Sequence, residues 1–303
     1  MANVLLIIIS LLSGYILNKS KIIPENSYQV LNNLVIYICI PALSIVYIPK
    51  IQINMSLIFP LAVTWIVFLI SVLIFGISGR ILKWGKSTTG SLILTSGLCN
   101  TSFVGFPVLL AMFGTKGLEI GIIIDQAGSF VLLSTAGIVV ASIYSSHKTG
   151  VKPIILNIIK YPPFIAFIAG IIILFFKIVI SEFLLETLSK IGNTTFLLAL
   201  VSVGSQLKFE DGFEEIKKLS AGLFYKLIIG PALIFLLYFI IFGKNNLYTQ
   251  VSLIESAMPP MVMGSILASS YNLNPKLSNL MVGIGIPLSV ITLFLWYLLI
   301  NYL

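Results

Sequence analysis

The chain is a succession of long apolar blocks, and short gaps between them hold most of its charge. Ten blocks can be counted, near 3–18, 28–48, 55–79, 90–113, 119–145, 157–179, 182–207, 219–242, 248–270 and 277–302. Crossing the hydrocarbon of a bilayer takes about 20 residues of helix. Lipid offers no partners for backbone N–H and C=O groups, so only helices and closed barrels span it. The blocks are too long and too uniformly apolar for barrel strands, which alternate in polarity. The expected class is an all-α integral membrane protein with ten transmembrane helices.

Composition agrees, since only 9% of the 303 residues are charged and 58% are hydrophobic. A soluble domain is about 25% charged. The net charge of +8 does not point to nucleic acid, because the basic residues lie mostly in the gaps and form no basic domain. Alternate gaps hold twelve Lys and Arg residues on one side and five on the other. The positive-inside rule puts the richer set in the cytoplasm, with both termini outside. Val4 to Leu17 has the length of a signal-peptide core, but no basic residue precedes it and no small-x-small cleavage pattern follows it. It reads as a short first membrane helix. The two cysteines, Cys39 and Cys99, lie in apolar blocks, and the single histidine, His147, lies in a loop. That pattern fits neither a zinc site nor a Ser-His-Asp hydrolase.

Two blocks are interrupted. Block four contains LCNTSFVGFP (98–107), and block nine contains ESAMPPMVMG (255–264). Proline lacks an N–H and clashes with the carbonyl four residues back. Pro107 is thus expected to free the carbonyl of Phe103, and Pro259 and Pro260 those of Glu255 and Ser256. Such breaks at membrane depth are tolerated only where they face protein or a water-filled cavity. Asn100, Thr101 and Ser102 suit the start of a second half-helix in block four. Pro260 suits the first turn of one in block nine.

The blocks divide five and five, and an odd number per half inverts the second half relative to the first. Weak echoes support the division: CIPALSIV (39–46) with FLLALVSV (196–203), and SLI at 91–93 with SLI at 252–254. Residues 1–148 form the first expected repeat and 149–303 the second. Blocks four and nine are then equivalent, and paired interruptions of this kind point to a transporter binding site. Half-helix N-termini there favour an anion, and half-helix C-termini favour a cation.

Asp125, Lys226 and Glu255 lie within blocks, where a charge is costly and defaults to a functional candidate. Asp125, with adjoining Gln126, and Glu255 are candidates for coupling transport to H⁺ or Na⁺. Glu255 is also the candidate Na⁺ ligand. Lys226, near the start of block eight, is expected to snorkel to the cytoplasmic interface. In block two, Asn33 is a candidate substrate contact beside Asn32 and Pro41. The substrate-site candidates are therefore Asn100, Thr101, Ser102, Pro107, Asn33, Pro259 and Pro260. A channel, an intramembrane aspartyl enzyme and a sensor are the rival readings. The other blocks lack a continuous polar lining, neither acid lies in a GxGD context, and no signalling domain is attached.

LNNLVIYICIPAL, CNTSFVGFPVLLAMFGTKGL and ESAMPPMVMGSILASSYNLNP resemble the auxin efflux carrier family, whose bacterial members include malate permeases and malonate transporters. The resemblance spans nearly the whole chain. It implies the fold of bile acid sodium symporters and sodium–proton antiporters, with helices 4 and 9 crossing at their breaks. It also implies a scaffold from 1–50 and 155–207 that forms a homodimer, and a moving core from 55–146 and 218–302. The implied activity is elevator-type transport of an organic anion such as malate, malonate or an auxin-like carboxylate, across the cell membrane and without a cofactor. Asn100 matches the family position that meets a substrate carboxylate. Pro107 and Pro260 match the crossover prolines, and Glu255 resembles the acid that supports sodium sites in the related symporters. Leu197 departs from the family, where many members have proline.

Overall fold

The computed structural model describes residues 2–24, 26–51, 53–145, 160–206 and 215–302. His147 and most of the 208–220 link lie outside the described residues. The described residues are almost wholly helical. The helices are α1 (Ala2–Lys19), α2 (Ser27–Lys50), α3 (Met55–Ile81), α4 (Lys86–Gly97) and α5 (Thr101–Tyr144). After these come α6 (Pro162–Phe176), α7 (Glu182–Ser205), α8 (Ile216–Ile241), α9 (Leu247–Ser256), α10 (Val262–Ser270) and α11 (Pro275–Tyr302). Six of them, α2, α3, α5, α7, α8 and α11, are long and apolar enough to cross a membrane. A bend at Gly114, with φ 64° and ψ −158°, divides α5 into two arms. Only glycine takes up such backbone without strain.

The side chains are distributed for lipid. Leu69, Leu73, Ile77 and Ile81 line an exposed stripe of α3 at every fourth position. Ser44, Thr64, Ser71, Ser91, Thr95 and Ser96 are buried. In water this arrangement would expose apolar surface and hide polar groups; in lipid it is the favourable one. Small residues then let backbones approach closely.

The chain forms two compact units. The first comprises 1–54, 102–126 and 156–207, and the second 55–101, 127–155 and 208–303. In the first unit α1 and α7 pack backbone to backbone. A Cβ on Gly14 would lie 2.1 Å from Val201 O, and one on Gly204 would lie 2.1 Å from Leu11 O. Asn18 donates to Ser205 O at 2.7 Å across the same pair. In the second unit α3 packs on α4, where a Cβ on Gly97 would lie 2.3 Å from Ser71 Oγ. That hydroxyl donates to Phe68 O and Ile93 O.

Three prolines within the helices share a pattern. Pro41, Pro107 and Pro231 each lie two residues after a widened (π) turn, at Val35–Cys39, Thr101–Gly105 and Tyr225–Ile229. A widened turn shifts hydrogen-bond partners by one residue and accommodates the missing N–H. The carbonyl four residues before Pro231 belongs to Leu227, and the Trp296 indole donates to it at 3.0 Å.

Candidate functional site

The two interruptions meet within the second unit. Helix α4 ends at Gly97 and α5 starts at Thr101; α9 ends at Ser256 and α10 starts at Val262. The two short extended stretches between them run antiparallel. Asn100 N donates to Pro259 O at 3.0 Å, and Met261 N donates to Leu98 O at 3.1 Å. These bonds satisfy backbone groups that neither helix supplies with partners. Helix α11 closes over the crossing at Gly285, where a Cβ would lie 2.7 Å from Pro260 Cδ. Gly264 lies against Leu98 in the same way, at 3.1 Å.

The first break is at Leu98–Asn100, at the residues the sequence suited to the start of a second half-helix, and Pro107 lies beyond it. Pro107 sits inside α5, because the widened turn before it keeps the helix continuous. Pro260 is likewise not in the first turn of α10. Both Pro259 and Pro260 lie in the break itself, ahead of the N-cap residue Met261. Asn100 immediately precedes α5, as expected of a helix-starting residue.

Four helix ends therefore converge. The N-termini of α5 and α10 present amides and positive partial charge, and the C-termini of α4 and α9 present carbonyls and negative partial charge. Met261 gives α10 no side-chain cap. The Asn100 side chain is 1% exposed, and its amide nitrogen Nδ2 has no hydrogen-bond partner among the described residues. A buried donor without a partner costs about 1–3 kcal/mol.

The carbonyl end is different. The carbonyl of Glu255 accepts from Met258 N at 3.3 Å. The carbonyl of Ser256, freed by Pro260, accepts from Lys226 Nζ at 3.0 Å. Lys226 Nζ also lies 2.8 Å from Cys99 Sγ. The expectation that Lys226 snorkels to an interface is thus corrected. Lys226 is 0% exposed, and its ammonium sits on the C-terminus of α9. The carbonyl partial charges there favour a cation.

The remaining candidates are placed as follows. Thr101 and Glu255 are fully buried in the second unit, and Ser102 is buried at the start of α5. Asp125 and Gln126 belong to the first unit. They are 4% and 1% exposed, with Gln126 Nε2 donating to Asp125 Oδ2 at 2.7 Å. Asn33 is exposed on α2, whereas its neighbour Asn32 is buried and bonded to Ser202 of α7. Sequence reasoning missed Thr64 and Ser129. Both are buried in the second unit with hydroxyls lacking partners among the described residues, and a Cβ on Gly128 would lie 2.6 Å from Thr64 Oγ1. Neither differs locally from the hydroxyl residues that bond back to their own helix.

A family model described as "Membrane transport protein" matches residues 1–297. An uncharacterized transporter of Methanocaldococcus jannaschii is 32% identical over 312 residues, covering 98% of this chain and 98% of its own. An uncharacterized transporter of Methanothermobacter thermautotrophicus is 24% identical over 300 residues, covering 97% and 96%.

Proposed function

The chain belongs to the membrane transport protein family, the auxin efflux carrier family whose motifs it carries, and from that premise we propose that it is a secondary carrier of small organic anions. The observation that carries this reading is the buried Asn100 Nδ2 without a partner, beside the N-termini of α5 and α10. A carboxylate accepts from an amide donor and is favoured by the positive ends of helices. The substrate class is a carboxylate such as malate, malonate or an auxin-like acid; Thr101, Pro259 and Pro260 of the second unit shape its seat, and Ser102 and Pro107 are further substrate candidates on α5. Asn33 is the substrate candidate on α2.

In this reading ten membrane crossings form two inverted five-helix repeats in the cell membrane, with both termini outside. A scaffold of 1–50 and 155–207 makes a homodimer, and a core of 55–146 and 218–302 moves in elevator fashion. Glu255 and the Asp125–Gln126 pair are the groups proposed to couple flux to H⁺ or Na⁺. The activity is transport rather than catalysis.

The test is thermal stability of the purified protein against a panel of mono- and dicarboxylates, for wild type and Asn100→Ala. Stabilisation of the wild type that is lost in the variant is the expected result. Equal stabilisation in both sinks the assignment of Asn100. Flux in proteoliposomes that follows only the substrate's own gradient turns the carrier into an uncoupled uniporter.

A further inference from the structure

A carrier whose broken helix ends in freed carbonyls has a seat for a cation. Here that seat is held by a group of the chain itself. Three observations define it. Lys226 is buried completely, although an ammonium loses several kcal/mol of hydration on burial. Its Nζ donates at 3.0 Å to Ser256 O, the last residue of α9 and the carbonyl that Pro260 deprives of its helical partner. It also reaches Cys99 Sγ at 2.8 Å, on the other interrupted segment. A single positive charge thus touches both broken segments.

The lysine is fixed there by its surroundings. Tyr225, the preceding residue, donates to Val67 O on α3. Ser96 Oγ donates to Gly222 O one turn earlier, at 3.3 Å. Trp296 holds Leu227 O, the residue that follows. Helix α8 is tied on either side of Lys226, so the ammonium is not a mobile surface charge.

We propose that Lys226 is a tethered counter-cation, filling the cation seat at the crossing in place of a dissociable Na⁺, so that transport needs no sodium. A covalently held cation supplies the positive charge that a bound ion would supply, at every stage of the cycle and at any external sodium concentration. It leaves no room beside Ser256 O for a second cation, since two positive charges within about 4 Å repel. The inference rests on the carrier reading and narrows its coupling ion, taking Na⁺ away from the Glu255–Ser256 end.

The experiment compares full-length protein in lipid nanodiscs in NaCl and in N-methyl-D-glucamine chloride at equal ionic strength. Wild type is expected to melt within about 1 °C in the two salts. Lys226→Ala, which empties the seat, is expected to melt several degrees higher in NaCl. Sodium stabilisation of wild type overturns the proposal, and so does a folded Lys226→Ala that ignores sodium. If Lys226→Ala does not fold, Lys226→Gln replaces it, and Lys226→Arg, which keeps the charge, must stay indifferent to sodium. The assay contains no carboxylate, so its outcome is independent of the anion reading. Wild type that ignores sodium while the variant responds, with no carboxylate stabilising either, keeps this proposal and sinks that one.

Discussion

The two interruptions are alike in architecture and opposite in chemistry. Each joins two half-helices through a short extended stretch, and each lends the other a backbone hydrogen bond. At the first break the exposed helix end is met by Asn100, whose amide is left with a donor to give. At the second the freed carbonyl of Ser256 is already occupied by Lys226. A broken helix always creates an anion-favouring and a cation-favouring end. This chain closes the second with its own side chain and leaves at the first an amide donor, which in the proposed reading meets the substrate carboxylate. The polarity of a crossover site is thus decided less by the break than by which end the rest of the protein fills.

Substitutions at the two breaks separate these roles. The largest effect is expected from Lys226→Met, which leaves the Ser256 carbonyl buried without its donor. Stability falls by up to about 3 kcal/mol, the upper end for a buried acceptor left unpaired, read from denaturation in detergent, and Lys226→Gln recovers part of it. A neutral result would mean that the second end needs no occupant. Asn100→Asp comes next. It sets a carboxylate where an anion is to bind, and carboxylate flux falls on the order of 100-fold while melting temperature changes little. Unchanged flux would erase the contrast between the two ends.

Gly285→Ala tests the brace over the crossing. Its Cβ would press on Pro260 Cδ at 2.7 Å, and overpacking of this kind costs about 1–3 kcal/mol. Melting temperature in lipid is the measure, and no loss would show that α11 yields easily there. The smallest effect belongs to Cys99→Ser. The hydroxyl keeps a lone pair for Lys226 and a donor for Ser256 O, so stability shifts by less than about 1 kcal/mol. A larger loss would place the weight of the ammonium's binding on sulfur rather than on the carbonyl.

Much of this was legible in the sequence because hydrophobic length and proline chemistry are local. The long helices follow from uninterrupted apolar runs, and both breaks were visible as Asn, Gly and Pro inside such runs. Detail failed where partners are remote. Lys226 looks like an interfacial residue because nothing near it names Ser256, thirty positions on, as its acceptor. Pro107 looked disruptive because a widened turn leaves no local signature in the sequence, and it sits inside a continuous helix. Asn32 and Asn33 are neighbours on one helix and point about 100° apart. Block two is apolar all round, so no periodicity revealed that Asn32 faces Ser202.

The two prolines of the second break carry a consequence for alignment. Leu98 O accepts from Met261 N, the first N–H after Pro259 and Pro260. Slide the two stretches by one residue and Leu98 O would face Pro260; slide them by two and it would face Pro259. Neither proline has an N–H to offer. A register slipped that way would strand a carbonyl in a region without water, so the consecutive prolines bar the two halves from sliding in that direction.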